Sequence, residues 1–184
     1  MAAMPGYFTG RGDDGFTEVL GEGRLPKHDP RIEAVGAIDD ASAALGLARA
    51  MTHDPAIREI LVTVQRHLYQ IMAEVSASGG NAERFRTIGA DQVAWIEQSI
   101  ERLSQELDAP GGFLIGGDSP AGGALDLGRT VVRRAERRLA ALVHAGQVEN
   151  SWLLRYLNRA SSLCFVLVLV EYRHAGIAPT MAKD

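Results

Sequence analysis

DPAIREILVTVQRHLYQIMAEV, residues Asp54–Val75, decides how the rest of the chain is read. Ile57, Ile60, Leu61, Val64, Leu68, Ile71, Met72 and Val75 recur three and four residues apart, the spacing that lines one face of an α-helix. Asp54-Pro55 is a start signal, an acidic cap followed by a proline whose missing N–H has no partner in a first turn anyway. Ser78-Gly79-Gly80 marks the stop. Working outward, Asp29-Pro30 repeats the start signal and predicts a helix to about Met51. A third helix is expected from about Thr87 to Leu107, with Val93, Ile96, Ile100, Leu103 and Leu107 on one stripe and Pro110-Gly111-Gly112 as its terminator. A fourth covers about Ala121–His144 and a fifth about Ser151–His174. Only Gly15–Leu20 is ambiguous between strand and coil. Five amphipathic helices with short connections predict an all-α five-helix bundle, one domain over residues 1–184. The segments 1–28 and 175–184 are the places where disorder or partner-dependent order is expected.

Composition narrows the function. The 184 residues are 46% apolar and 23% charged, with 19 Lys+Arg against 23 Asp+Glu and a formal charge of −4. A general nucleic-acid or anionic-membrane binder is normally basic, and 6% aromatics is too few for a base-stacking surface. Neither nucleic acid nor membrane is an expected partner. The single cysteine, Cys164, excludes an internal disulfide and a cysteine-rich zinc site. It lies in Leu163–Val170, an apolar run far shorter than the roughly 18 residues that span a bilayer, and reads as a small buried hydrophobe. The N-terminus carries glycines and acids where a secretory signal has a basic start and an apolar stretch, so the cytoplasm is the expected compartment.

Glycine is unevenly placed. Of 20, six fall in Gly6–Gly23 and seven in Gly111–Gly128. Such segments let backbone N–H groups approach a ligand closely. Thr9-Gly10-Arg11-Gly12-Asp13-Asp14-Gly15-Phe16-Thr17 is a candidate phosphate cradle, although it is neither a Walker A loop nor a dinucleotide fingerprint, and a disordered tail is the plainer reading. The second candidate is Arg129-Thr130-Val131-Val132-Arg133-Arg134-Ala135-Glu136-Arg137-Arg138. At 100° per residue Arg129, Arg133 and Arg137 share one strip, with Asp126 and Glu136 beside it, while Val131, Val132, Ala135, Leu139 and Leu142 occupy the core sector. Guanidinium forks suit a polyphosphate; a solvated face of i,i+4 ion pairs is the alternative. Gly117-Asp118-Ser119-Pro120-Ala121 lacks the strand and second glycine of a nucleophile elbow. His28-Asp29 and His53-Asp54 read as helix caps rather than metal ligands.

Together these segments resemble the trimeric, five-helix-bundle class of ATP:cob(I)alamin adenosyltransferases. Thr9–Thr17 is similar to that family's ATP loop, Lys27–Asp40 to its next block, Phe113-Leu114-Ile115-Gly116-Gly117 to its Phe-x-Leu-Pro-Gly-Gly loop, Arg129–Arg137 to its arginine helix and Tyr156-Leu157-Asn158-Arg159 to its last block. The resemblance implies transfer of the 5′-deoxyadenosyl group of ATP to cob(I)alamin with release of triphosphate. It implies a homotrimer with ATP between protomers, a reductase that supplies reduced cobalamin and a cobalamin-dependent mutase that takes the product. It assigns ATP and its Mg2+ to Thr9, Gly10, Gly12, Lys27, Arg133, Glu136, Arg137 and Asn158, with Arg11, Gly15 and Thr17 in the same loop and Glu136 the one side chain suited to the metal. Asp39 would pair with Arg129 across the interface. Phe113 would enter the corrinoid pocket and displace the lower cobalt ligand; read from the residues alone, a loop anchor tucked into the bundle is the lesser alternative. Departures from the pattern are Ile115-Gly116 at the loop proline, Asp126 for histidine, Ser162 for aspartate, Asp14 for lysine and Asp40 for glutamate. They leave open a non-catalytic relative that binds ATP or adenosylcobalamin as a sensor or store.

Overall fold

The computed structural model describes residues 7–21, 23–77, 80–108 and 110–183. Gly6 and the Ser78-Gly79 part of the expected helix stop lie outside them. Five α-helices are present among these residues: α1 Pro30–Met51, α2 Pro55–Ser76, α3 Ala90–Ser104, α4 Pro120–His144 and α5 Ser151–His174. α4 lies between α1 and α5, α2 covers α1, and α3 packs on α5. The caps are those the sequence announces. Asp29 accepts from the Arg31 N–H at 2.8 Å, Asp54 from that of Ala56 at 2.8 Å, and Ser119, in the segment that mimics a nucleophile elbow, from that of Gly122 at 3.0 Å.

Two expectations are corrected. The chain is mostly helical rather than all-α, because β1 Phe16–Glu18 and β2 Arg24–Pro26 pair antiparallel, Thr17 opposite Leu25. The ribbon falls in the ambiguous Gly15–Leu20 stretch. Its second strand was hidden because Arg24-Leu25-Pro26 is too short to show alternation. The first turn of the expected third helix is also absent. Ile88 is buried and its carbonyl accepts from Asn150 Nδ2 at 3.0 Å, which holds the chain extended until Gly89 caps α3. A short 3-10 turn, Asn81–Phe85, precedes it.

The core explains the alanines of α1. Ala34, Ala37, Ile38, Ala41, Leu45 and Ala48 are buried at helical spacing, and small side chains let α4 approach closely. Gly128 marks the tightest point: a Cβ there would lie 2.7 Å from Leu45 Cδ2. Gly128→Ala is therefore expected to overpack the α1–α4 contact and cost about 1–3 kcal/mol, read as a lower melting temperature. α5 taken whole is long and apolar enough to cross a membrane, with mean hydropathy 1.5 in its most apolar window. It is instead the inner helix of the bundle, with Leu153, Tyr156, Leu157, Leu163, Leu167 and Val168 buried. Cys164 is buried with them, and burial pushes its thiol up to about 12, so it is inert as a nucleophile at neutral pH.

Candidate active site

α4 carries the charge that the sequence places on it, and the structure sorts its arginines into two sets. Arg134 Nη2 donates to Asp40 Oδ2 at 2.7 Å and Arg138 lies 3.9 Å from Glu33, so these two staple α4 to α1. Arg129 is half-buried, its Nε donating to Asp126 Oδ1 at 2.7 Å. Arg133 and Arg137 are exposed and make no ion pair among the described residues. Glu136, expected beside them as a counter-charge, instead accepts from Asn158 Nδ2 at 2.8 Å, which ties α4 to α5. The solvated ion-pair reading therefore fits Arg134 and Arg138, whereas the strip of Arg133 and Arg137 has charge to spare.

Beside this strip lies a cavity of about 600 Å³, within the range of small-molecule sites. Arg129, Arg133 and Asp126 form its polar wall; Phe165, Val166 and Val168 of α5 form its apolar one. Its rim is the loop from Pro110 to Gly116, including Phe113. Phe113 is 89% exposed, so the tucked-anchor reading is overturned: the ring contributes nothing to the core. Gly116 sits against the wall, where a Cβ would come within 2.7 Å of Asp126 Oδ2, so any larger residue would require that carboxylate to shift.

The loop is held from both sides by residues the sequence reading passed over. Tyr172, buried on α5, accepts from the N–H groups of Gly117 and Asp118, each at 3.2 Å. The C-terminal tail, where disorder or partner-dependent order is expected, lies along the loop: the Ile115 N–H donates to Thr180 O at 2.8 Å and the Ala182 N–H to Phe113 O at 2.8 Å. Asp118 accepts from the Thr180 N–H and hydroxyl at 2.8 and 2.7 Å, bonds that draw its pKa below the ordinary carboxylate value. Backbone pairing of this kind leaves no sequence pattern. Phe165 and Val166 did leave a signal: with Ser162 and Leu169 they form the less buried stripe of an otherwise buried helix.

The N-terminal segment, where disorder or partner-dependent order is expected, folds on itself over the described residues 7–21 and 23–28. Arg24 closes it, donating to both oxygens of Asp14 at 2.8 and 2.9 Å; that guanidinium and the Phe16 N–H hold the Asp14 carboxyl below its usual range. A concavity of about 320 Å³ gathers Thr9, Arg11, Gly12, Thr17, Arg24 and Lys27. The Lys27 ammonium lies over Gly12, 3.1 Å from where a Cβ would stand. Gly10 and Gly15, at φ +70° and +81°, turn the loop around it. Among the described residues no hydrogen bond or ion pair joins this loop to α4, and Asp39, exposed on α1, makes no ion pair. Of the expected site residues, the chain thus assembles Phe113, Arg129 and Arg133 in one place, Glu136 and Asn158 beside them, and the loop residues in another.

The sequence profile of cobalamin adenosyltransferases matches residues 7–171. The chain belongs to the cobalamin adenosyltransferase family. It is similar to the corrinoid adenosyltransferase PduO of Citrobacter freundii, 34% identical over 165 residues, 89% of this chain and 49% of that protein. A corrinoid adenosyltransferase of Mycobacterium tuberculosis is 35% identical over 164 residues, 87% of this chain and 85% of that protein. The chain spans about half the length of the PduO relatives and most of the shorter ones. A variant PduO-type ATP:corrinoid adenosyltransferase from Lactobacillus reuteri, complexed with cobalamin and ATP, shares the fold, with a TM-score of 0.89 at 24% identity over 96% of this chain and 99% of that one. The arginine strip, the glycine-rich loop and every residue that lines the cavity except Tyr172 lie within the span that the family profile covers.

Proposed function

We propose that this chain is an ATP:cob(I)alamin adenosyltransferase. The observation that carries the reading is the meeting, in one cavity, of an apolar wall with a protruding phenylalanine and the guanidinium groups of α4. The apolar side suits a flat, largely nonpolar macrocycle; the cationic side suits a polyphosphate. In the reaction the Co(I) electron pair forms a bond to the ribose C5′ of ATP while the C5′–O bond breaks, and triphosphate leaves with that bond's electrons. Such a nucleophile requires no general base. The protein has to position the two substrates, exclude water and stabilise the charge on the leaving triphosphate.

In this reading Arg133 and Arg137 take phosphate oxygens, and Asn158 and Glu136, beside the cavity, hold the nucleotide. Thr9, Gly10, Arg11, Gly12, Gly15, Thr17 and Lys27 close over ATP from a neighbouring protomer, and Asp39 of that neighbour meets Arg129. Phe113 stands under the corrin. Lys27, Arg133 and Arg137 make no ion pair among the described residues and lie on two surfaces that no hydrogen bond or ion pair among those residues joins, which supports a ring in which loop and arginine strip come from different chains, a closed homotrimer. Among the described residues no group of three or more acidic, histidine or cysteine side chains gathers to hold a metal. Mg2+ would therefore arrive on the triphosphate, with Glu136 the carboxylate at hand to steady it. A cytoplasmic reductase and a cobalamin-dependent mutase are the proposed suppliers and takers.

The test is an anaerobic assay with ATP and chemically reduced cobalamin, followed by the absorbance change on cobalt–carbon bond formation. The same protein in the ultracentrifuge should sediment as a trimer. Tight ATP and adenosylcobalamin binding without turnover would identify a sensor or store instead, and a monomer that binds ATP tightly would refute the split site.

A further inference from the structure

We infer that Glu97 on α3 and Arg159 on α5 are positioning residues that set the orientation of the Asn158 amide, and through it the Glu136 carboxylate. The inference rests on the reading of Asn158 and Glu136 as nucleotide contacts beside the cavity. It assigns a part in that site to α3, which supplies no residue to the cavity beside Phe113 and Arg133 or to the glycine-rich loop.

The geometry is a relay across three helices. Arg159 Nε donates to Glu97 Oε1 at 2.9 Å, and its Nη1 donates to Asn158 Oδ1 at 2.8 Å. Asn158 Nδ2 then donates to Glu136 Oε1 at 2.8 Å. An asparagine amide has two nearly isosteric orientations related by a half-turn, and its partners choose between them. The other orientation would set Oδ1 against the Glu136 carboxylate, acceptor facing acceptor, and Nδ2 against a guanidinium, donor facing donor. Arg159 thus selects the orientation in which Asn158 can hold Glu136. An arginine at the surface has many rotamers, and 42% of this side chain is exposed. The Nε bond to Glu97 is what keeps the fork directed at the amide.

Without the Glu97 acceptor the guanidinium is free to swing into solvent and the amide is free to turn. Glu136 then loses its donor. The effect should fall on nucleotide affinity and leave the corrinoid side alone, because nothing in the relay lines the cavity. Exposed ion pairs contribute little to stability, so folding should not register the change.

The experiment compares the parent with Glu97→Ala, Glu97→Gln and Arg159→Lys in Mg-ATP titration calorimetry, steady-state adenosylation of cob(I)alamin and thermal melting. Glu97→Ala and Arg159→Lys should each raise the Kd and KM for ATP about tenfold, the loss of one well-placed charge-assisted contact, with kcat at saturating ATP within about twofold of the parent. Glu97→Gln keeps an acceptor opposite Arg159 Nε and should restore the affinity to within about threefold, with all melting temperatures unchanged. ATP affinity equal to the parent's in Glu97→Ala overturns the relay alone. So does a loss that Glu97→Gln fails to restore and that comes with a lowered melting temperature, since that pattern marks a merely structural ion pair. A parent that binds no ATP removes the nucleotide reading of the site, and the relay with it.

Discussion

Arg133→Ala should bind ATP about 10- to 100-fold more weakly than the parent, the cost of roughly 1.5–3 kcal/mol for one charge-assisted contact to phosphate. The side chain is exposed, lines the cavity beside Phe113 and has no carboxylate partner among the described residues, so none of them competes for its donors. Stability should hardly change, because Val132 and Ala135 on the buried sector carry the packing of this turn. Titration calorimetry with Mg-ATP decides it. Unaltered affinity with an unchanged melting temperature would mean that the arginine strip does not face phosphate. The paired neighbour Arg134 offers the contrast: its charge is spent on Asp40, and its removal should leave ATP affinity within about twofold of the parent, as expected for an exposed ion pair.

The second large effect is expected at Phe113. Phe113→Ala should lower adenosylation that starts from cob(II)alamin on the order of 100-fold, about 2.7 kcal/mol of lost transition-state stabilisation, while ATP affinity stays near the parent's. An exposed phenylalanine at the rim of an apolar cavity, on a loop fastened by Tyr172, Asp118 and the tail, is held in place without being part of the core. Its bulk would keep water and a lower ligand from cobalt, which makes Co(II) easier to reduce. Supplying cobalt already as Co(I) should recover much of the lost rate. Spectra of the cob(II)alamin–ATP complex test the cause, since the variant should lose the four-coordinate signal. Equal rates from cob(II)alamin for variant and parent would remove Phe113 from the site. The melting temperature should not move, because the ring buries almost nothing within the protomer.

The helices were legible because their determinants are local. Ile57, Ile60, Leu61, Val64, Leu68, Ile71 and Val75 repeat at the helical period and are buried as that repeat demands, and Asp29 and Asp54 cap the helices that follow them. The arginines of α4 were legible as a strip. Which of them are spent on α1 and which remain available was not, because Asp40 and Glu33 lie about 100 residues away in the chain. The hydrogen bond from Asn158 to Glu136 and the relay from Glu97 are likewise contacts between helices, and the carboxylate of Asp126 meets Gly116 only because the loop folds back on α4.

By itself, then, the sequence determined the five helices, their buried faces and the presence of two glycine-rich segments between and before them. Periodicity and capping act within a few residues, where the chain's own geometry suffices to read them. The ribbon of Phe16–Glu18 with Arg24–Pro26, the ordered tail across the Phe113 loop and the exposure of Phe113 itself were decided only by the tertiary structure. Those features rest on backbone groups and side chains brought together from distant positions. A hydrogen bond from the Ala182 N–H to the Phe113 carbonyl follows from where α4 and α5 place the two segments, and from no property of either segment alone.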